Sequence, residues 1–144
     1  MVKDKTLAEN FLKREGRLNR WRYFKRTVIL ALVTALVEVP IISIFADANG
    51  NMPIFGNILM FIVTVIFLYP EYCLIIRRLH DFDRDELLAK VYIAGVIASY
   101  FFTFIFQMDF MALAIVLAIM ALYFLLVPGT RGSNKYGADP LNQI

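Results

Sequence analysis

A chain of 144 residues is about one domain of sequence, yet 60% of it is hydrophobic, only 19% is charged and its mean hydropathy is +0.64. A water-soluble domain of this size cannot hide so much apolar side chain, so lipid must be the solvent for much of it. The net charge of +3 then points to anionic lipid rather than nucleic acid, and a lone cysteine, Cys73, excludes an internal disulfide.

Residues 1–26 carry Lys3, Lys5, Lys13, Arg14, Arg17, Arg20, Arg22, Lys25 and Arg26. Thr6-Leu7-Ala8-Glu9 has the spacing of a capping box, and Leu7, Phe11 and Leu12 fall on one face of the helix it would start. Gly16 is a natural stop for that helix. The pattern predicts a short amphipathic helix on the membrane surface, with a frayed tail as the competing reading. Asn19 is placed to cap the next helix, and Trp21, Tyr23 and Phe24 suit headgroup depth. More than two dozen polar and charged residues precede the first apolar run, with no small-residue cleavage site after it. That composition argues for an uncleaved signal anchor rather than a cleaved signal peptide.

Four apolar runs follow, at 27–46, 54–76, 87–106 and 110–127. Each is long enough to cross a hydrocarbon core of ~30 Å at ~1.5 Å per residue. The connections 47–53 and 107–109 hold no Lys or Arg, whereas 77–86 holds Arg77, Arg78 and Arg84 and the tail holds Arg131 and Lys135. Lys90, one turn inside the third run, is expected to reach back toward Arg84. With four spans all 15 Lys and Arg fall on one side, which places both termini in the cytoplasm. The expected fold is all-α: a four-helix transmembrane bundle (27–127) with a basic amphipathic N-terminal segment (1–26), a cytoplasmic tail (128–144) and a cytoplasmic polar cap. Small residues four apart, at Ala31/Ala35, Ala94/Ala98, Gly95/Ser99 and Ala114/Ala118, mark expected helix–helix faces.

Two acids lie within the apolar runs. Glu38 is eleven residues into the first, roughly 16 Å deep. It must be protonated, paired or facing water there, so it is either a proton or cation site or a neutral acid bonded across the bundle. Pro40 frees the carbonyl of Leu36 beside it. Glu71 is shallower, and a structural ion pair with Lys90 is the expected use. His80 is the only histidine. Asp81, Asp83 and Asp85 match the start of a calcium loop, but Glu86 stands where that loop needs Gly and Tyr92 where it needs Glu. No zinc set, catalytic triad or phosphate loop is present, so no metal or cofactor is expected. Asp83-Arg84-Asp85-Glu86 reads instead as a capping box for the third run.

Three segments stand out together: Gly16-Arg17-Leu18-Asn19-Arg20-Trp21-Arg22-Tyr23-Phe24, Arg77-Arg78-Leu79-His80-Asp81, and Pro128-Gly129-Thr130-Arg131-Gly132-Ser133-Asn134-Lys135-Tyr136-Gly137-Ala138-Asp139-Pro140. The set resembles the bacterial inner-membrane family catalogued as domain of unknown function 805, over about Gly16 to Pro140. The family usually follows its His-Asp with Gly, a basic residue, Ser and an aromatic; here Phe82-Asp83-Arg84-Asp85-Glu86-Leu87 follows, and Ser133 and Ala138 stand where Pro is usual. The resemblance implies a small multispanning protein of the bacterial plasma membrane, with no established activity.

The topology puts all three segments on one face. They are expected to converge as a cap, with Asp81 accepting from some of Arg17, Arg20 and Arg78 and with Arg77, His80, Asn134, Tyr136 and Asp139 around it. Surplus Arg and Lys would meet anionic head groups. The first function class is a non-enzymatic scaffold, accessory or regulatory protein presenting that cap, partnered by another membrane protein or by its own copy. The second is a small transporter or channel component using Glu38. A lipid-headgroup enzyme using His80 and Asp81 ranks third. A cavity at Glu38 would favour transport, and a dry packed core the scaffold.

Overall fold

The computed structural model describes residues 6–141; Lys3 and Lys5 lie outside the described residues. Five helices form: α1 (Leu7–Phe11), α2 (Arg20–Phe45), α3 (Ile54–Asp81), α4 (Leu87–Phe106) and α5 (Met111–Leu126). The capping box of α1 is made in both directions, Thr6 N–H to Glu9 and Glu9 N–H to Thr6, each at 3.1 Å. The helix is only five residues long, so Gly16 is not its terminator. Gly16 instead occupies the connection that follows, at φ +84. That connection is drawn onto α3, where Cys73 Sγ donates to the carbonyl of Leu12 at 3.4 Å and Leu18 N–H to that of Arg77 at 2.9 Å.

Asn19 caps α2 by accepting from Arg22 N–H at 2.9 Å, so this helix starts at Arg20, ahead of its apolar run. α3 also outruns its apolar stretch. It continues through Arg77-Arg78-Leu79-His80-Asp81, which the sequence reading treated as loop. α4 has the expected bounds; its N-cap is Glu86, which makes no side-chain cap bond, and Asp85 just before it accepts from Leu87 N–H at 3.0 Å. Asp83 sits at φ 61 and does not form the expected capping box.

α2, α3 and α4 are long and apolar enough to cross a membrane, whereas α5 is a shorter apolar helix of 16 residues. At ~1.5 Å per residue α5 reaches only ~24 Å, less than the run 110–127 implied. α3 packs against every other helix. The buried core gathers near its C-terminal end, where Leu74, Ile75, Ile76 and Leu79 meet Leu18, Ala89, Tyr92 and Phe124. Farther along, large apolar side chains such as Leu36 (76% exposed), Ile66 (63%) and Ile119 (60%) face outward, as a lipid-solvated surface requires. Of the small-residue pairs, Gly95 marks a real close approach: a Cβ there would stand 3.0 Å from Leu117 of α5.

Candidate functional site

A helix leaves its last carbonyls without intrahelical partners. At the end of α3 the rest of the chain supplies them. The carbonyl of Arg77 accepts from Leu18 N–H (2.9 Å), that of His80 from the Asn134 side-chain amide (2.9 Å), and that of Asp81 from Thr130 N–H (2.8 Å). One helix end is thus completed by the segments before α2 and after α5.

The side chains of this end form a second layer. Asp81 accepts from Arg17 Nε at 3.1 Å and from Arg78 Nη1 at 2.6 Å, and all three residues are buried. Arg78, 0% exposed, also donates to the carbonyls of Phe124 (2.8 Å), Leu18 (3.3 Å) and Val127, so it satisfies the C-terminal end of α5 where that helix is most negative. Arg17 donates further to the carbonyls of Thr130 and Gly132, each at 2.6 Å. Gly129 passes so close that an added Cβ would lie 2.1 Å from Asp81 Oδ2. Arg20, expected as an alternative donor, lies exposed on the first turn of α2 instead. Arg77 turns the other way and donates to the carbonyl of Glu9 at 3.0 Å, fastening α1.

His80 Nδ1 lies 3.2 Å from the carbonyl of Gly16, so that nitrogen carries the proton, and the ring stacks on Tyr136 at 3.7 Å. Asp139 accepts from Leu141 N–H and Gly132 N–H, each at 2.9 Å; these bonds hold its carboxyl below the ordinary carboxylate range.

The two acids of the apolar runs lie elsewhere, in a cavity of about 540 Å³ between α2, α3, α4 and α5. Glu38 Oε1 accepts from the Thr64 hydroxyl at 2.9 Å, and Glu71 Oε1 from the Tyr92 hydroxyl at 3.4 Å. Thr27, Thr34, Ser99 and Tyr100 add hydroxyls, and Ala114, Leu117, Ala118 and Ala121 of α5 form an apolar wall. Ala31, Ala35, Ala114 and Ala118 are exposed along the rim. The expected pair of Glu71 with Lys90 does not form. Lys90 instead bridges Glu86 at 3.2 Å on the exposed first turn of α4, where the i,i+4 spacing on one helix face brings them together. This bridge carries the Lys90 ammonium back toward the start of α4, the direction of Arg84.

The family model described as "Protein of unknown function (DUF805)" matches residues 11–138. The chain belongs to this family. It is 30% identical over 135 residues to the "Inner membrane protein YhaI" of Escherichia coli (strain K12), covering 94% of this chain and 92% of the relative, and equally to the protein of that name in Escherichia coli O157:H7. No solved structure matches the chain. The matched region takes in the first two segments by which the sequence resembles the DUF805 family and the third as far as Ala138, together with the helix end they complete.

Several residues of these sites escaped the sequence. Thr64 is ordinary in composition, and nothing local distinguishes it from other hydroxyls in apolar surroundings; Thr130 lies inside the third segment but had no role of its own there. The carbonyls of Leu18, Phe124 and Val127 are backbone groups with no sequence signal at all.

Proposed function

We propose that this DUF805 chain is a multi-pass protein of the bacterial inner membrane, four-spanning with both termini cytoplasmic, and that it acts as a small transport or channel component with a cation site at Glu38. The observation that carries this reading is the cavity where Glu38 meets only a hydroxyl partner, Thr64. A carboxyl held in a cavity of about 540 Å³ at membrane depth suits an exchangeable cation better than a packed structural role. The scaffold reading ranked higher on sequence alone, and the cavity reverses that order.

The Arg17–Asp81–Arg78 cluster supports the same choice. Its charges are consumed by Asp81 and by backbone carbonyls, so it serves as architecture that holds the helix ends. No catalytic role is assigned to His80, whose Nδ1 faces the Gly16 carbonyl, or to Asp81, whose carboxylate is held by the two guanidinium groups. Arg20, Lys25, Arg84, Arg131 and Lys135 remain exposed near that end and suit anionic head groups, at roughly 1 kcal/mol each near the surface. The test is uptake of radiolabelled methylamine and 1,4-diaminobutane into liposomes containing the purified protein. Protein-dependent uptake of either amine is expected, lost in Glu38→Gln and kept in Asp83→Asn. Uptake no greater than in empty liposomes, or unchanged in Glu38→Gln, overturns this function.

A further inference from the structure

The cavity holds two carboxyls, and their separation is fixed by α3. Glu38 is bonded to Thr64, and Thr64 and Glu71 are on the same helix. Seven residues at ~1.5 Å each put the two acids ~10 Å apart along the axis. Both line one cavity, whose lining contains no Lys, Arg or His to neutralise them from the protein's side. A ligand must do so, or the acids must hold protons.

We infer that the cavity binds a short aliphatic diamine, one ammonium at Glu38 and the other at Glu71. This rests on the cation-site reading above and names its ligand class. A paired ammonium stands ~3 Å from its carboxylate, which leaves on the order of 5 Å between the two nitrogens along α3, the reach of an extended three-carbon chain or of a four-carbon chain with one gauche bond. The methylenes lie against the Ala114, Leu117, Ala118 and Ala121 wall, and Tyr92 and Tyr100 line the same cavity. A volume of about 540 Å³ is ample for such a molecule, whereas a bare proton or metal ion needs far less. A monoamine neutralises one acid and leaves the other in a low dielectric without a counter-charge.

The experiment is calorimetric titration of the purified protein in nanodiscs with 1-aminobutane and with diamines of three to eight carbons. The inference expects the three- and four-carbon diamines to bind at least about tenfold more tightly than the monoamine, since the second ammonium binds intramolecularly. Glu71→Gln and Glu38→Gln are each expected to remove that advantage, and Ala118→Leu, which fills the cavity, to weaken every amine. The chain-length series needs no variant, so it stands even where a substitution disturbs folding. Equal affinity for monoamine and diamines, with Glu71→Gln silent, overturns the two-point site and leaves the Glu38 cation site standing. No amine binding that Glu38→Gln alters removes both. Diamine binding without uptake into liposomes supports this site while overturning transport.

Discussion

Asp81 is buried against two guanidinium groups that are themselves buried. Removing its charge strands both, and breaking a buried pair by deleting one partner costs about 3–5 kcal/mol. Asp81→Asn is therefore expected to lower the melting temperature in detergent sharply. Asp85→Asn changes an exposed side chain before α4 and keeps an acceptor for Leu87 N–H, so its loss should stay within ~1 kcal/mol. Equal small effects would show that the paired charges do not hold the helix ends. Gly129 gives an independent probe of the same contact. A methyl group there collides with Asp81 Oδ2, and such overpacking typically costs about 1–3 kcal/mol. Gly129→Ala should thus destabilise although no hydrogen bond is deleted, whereas Ser133→Ala, on an exposed tail residue, should be silent.

The tail after α5 is short and nearly devoid of regular structure, and polar bonds rather than burial hold it in place. Asp139 joins Leu141 N–H to Gly132 N–H, and Asn134 and Gly137 exchange backbone bonds at 3.0 Å. The Asp139 carboxyl is held below its ordinary value of 3.8, first by the Leu141 bond and then by the Gly132 bond. The folded state then binds fewer protons than the unfolded one. Its contribution to stability is complete above pH 3.8 and is lost as pH falls through the lower folded value. Trypsin cleavage at Arg131 or Lys135 should accordingly accelerate in Asp139→Ala protein at neutral pH, imitating what strong acid does to the wild type. α1 is fastened at the level of the element too. Arg77→Ala removes the bond to the Glu9 carbonyl, and cleavage at Lys13 and Arg14 should quicken while the far helices keep their hydrogen-exchange protection.

For the molecule as a whole, topology is the first quantity to measure. The connection 47–53 carries no Lys or Arg and lies at the other end of α3 from the Asp81 cluster. With Cys73 replaced by serine, Asn49→Cys should react with an impermeant thiol reagent in intact cells, and Ser133→Cys only after permeabilisation. Ser133 is chosen over Asn134 because it is exposed, whereas Asn134 is tied to His80. Labelling of Ser133→Cys from outside would overturn the proposed orientation. α5 bears on the same question: at 16 residues it crosses only where the bilayer thins or its flanks help, so its span is the part of the topology that length alone supports least.

Composition and hydropathy were enough to require lipid as solvent, to locate the three long apolar helices and the shorter α5 within a few residues at most ends, and to pick out Asn19 as a cap. These are local or additive properties: a run of apolar side chains needs lipid whatever its neighbours do. The family was legible as well, because three polar segments kept their order along the chain. The helical state of Arg77–Asp81 was not legible, since that stretch looks like a charged loop until other segments satisfy its final carbonyls. Nor was the choice of Arg17 over Arg20, because both are basic and near and only the path of the chain between Gly16 and Asn19 decides which one turns inward. Lys90 and Glu71 have matching depth along their helices, yet depth carries no azimuth, and helix rotation sent one to the surface and the other to the cavity. The cavity is the clearest case. Glu38 was visible as an anomaly in an apolar run, but open space is a property of how four helices fail to fill the volume between them, and no single helix encodes it.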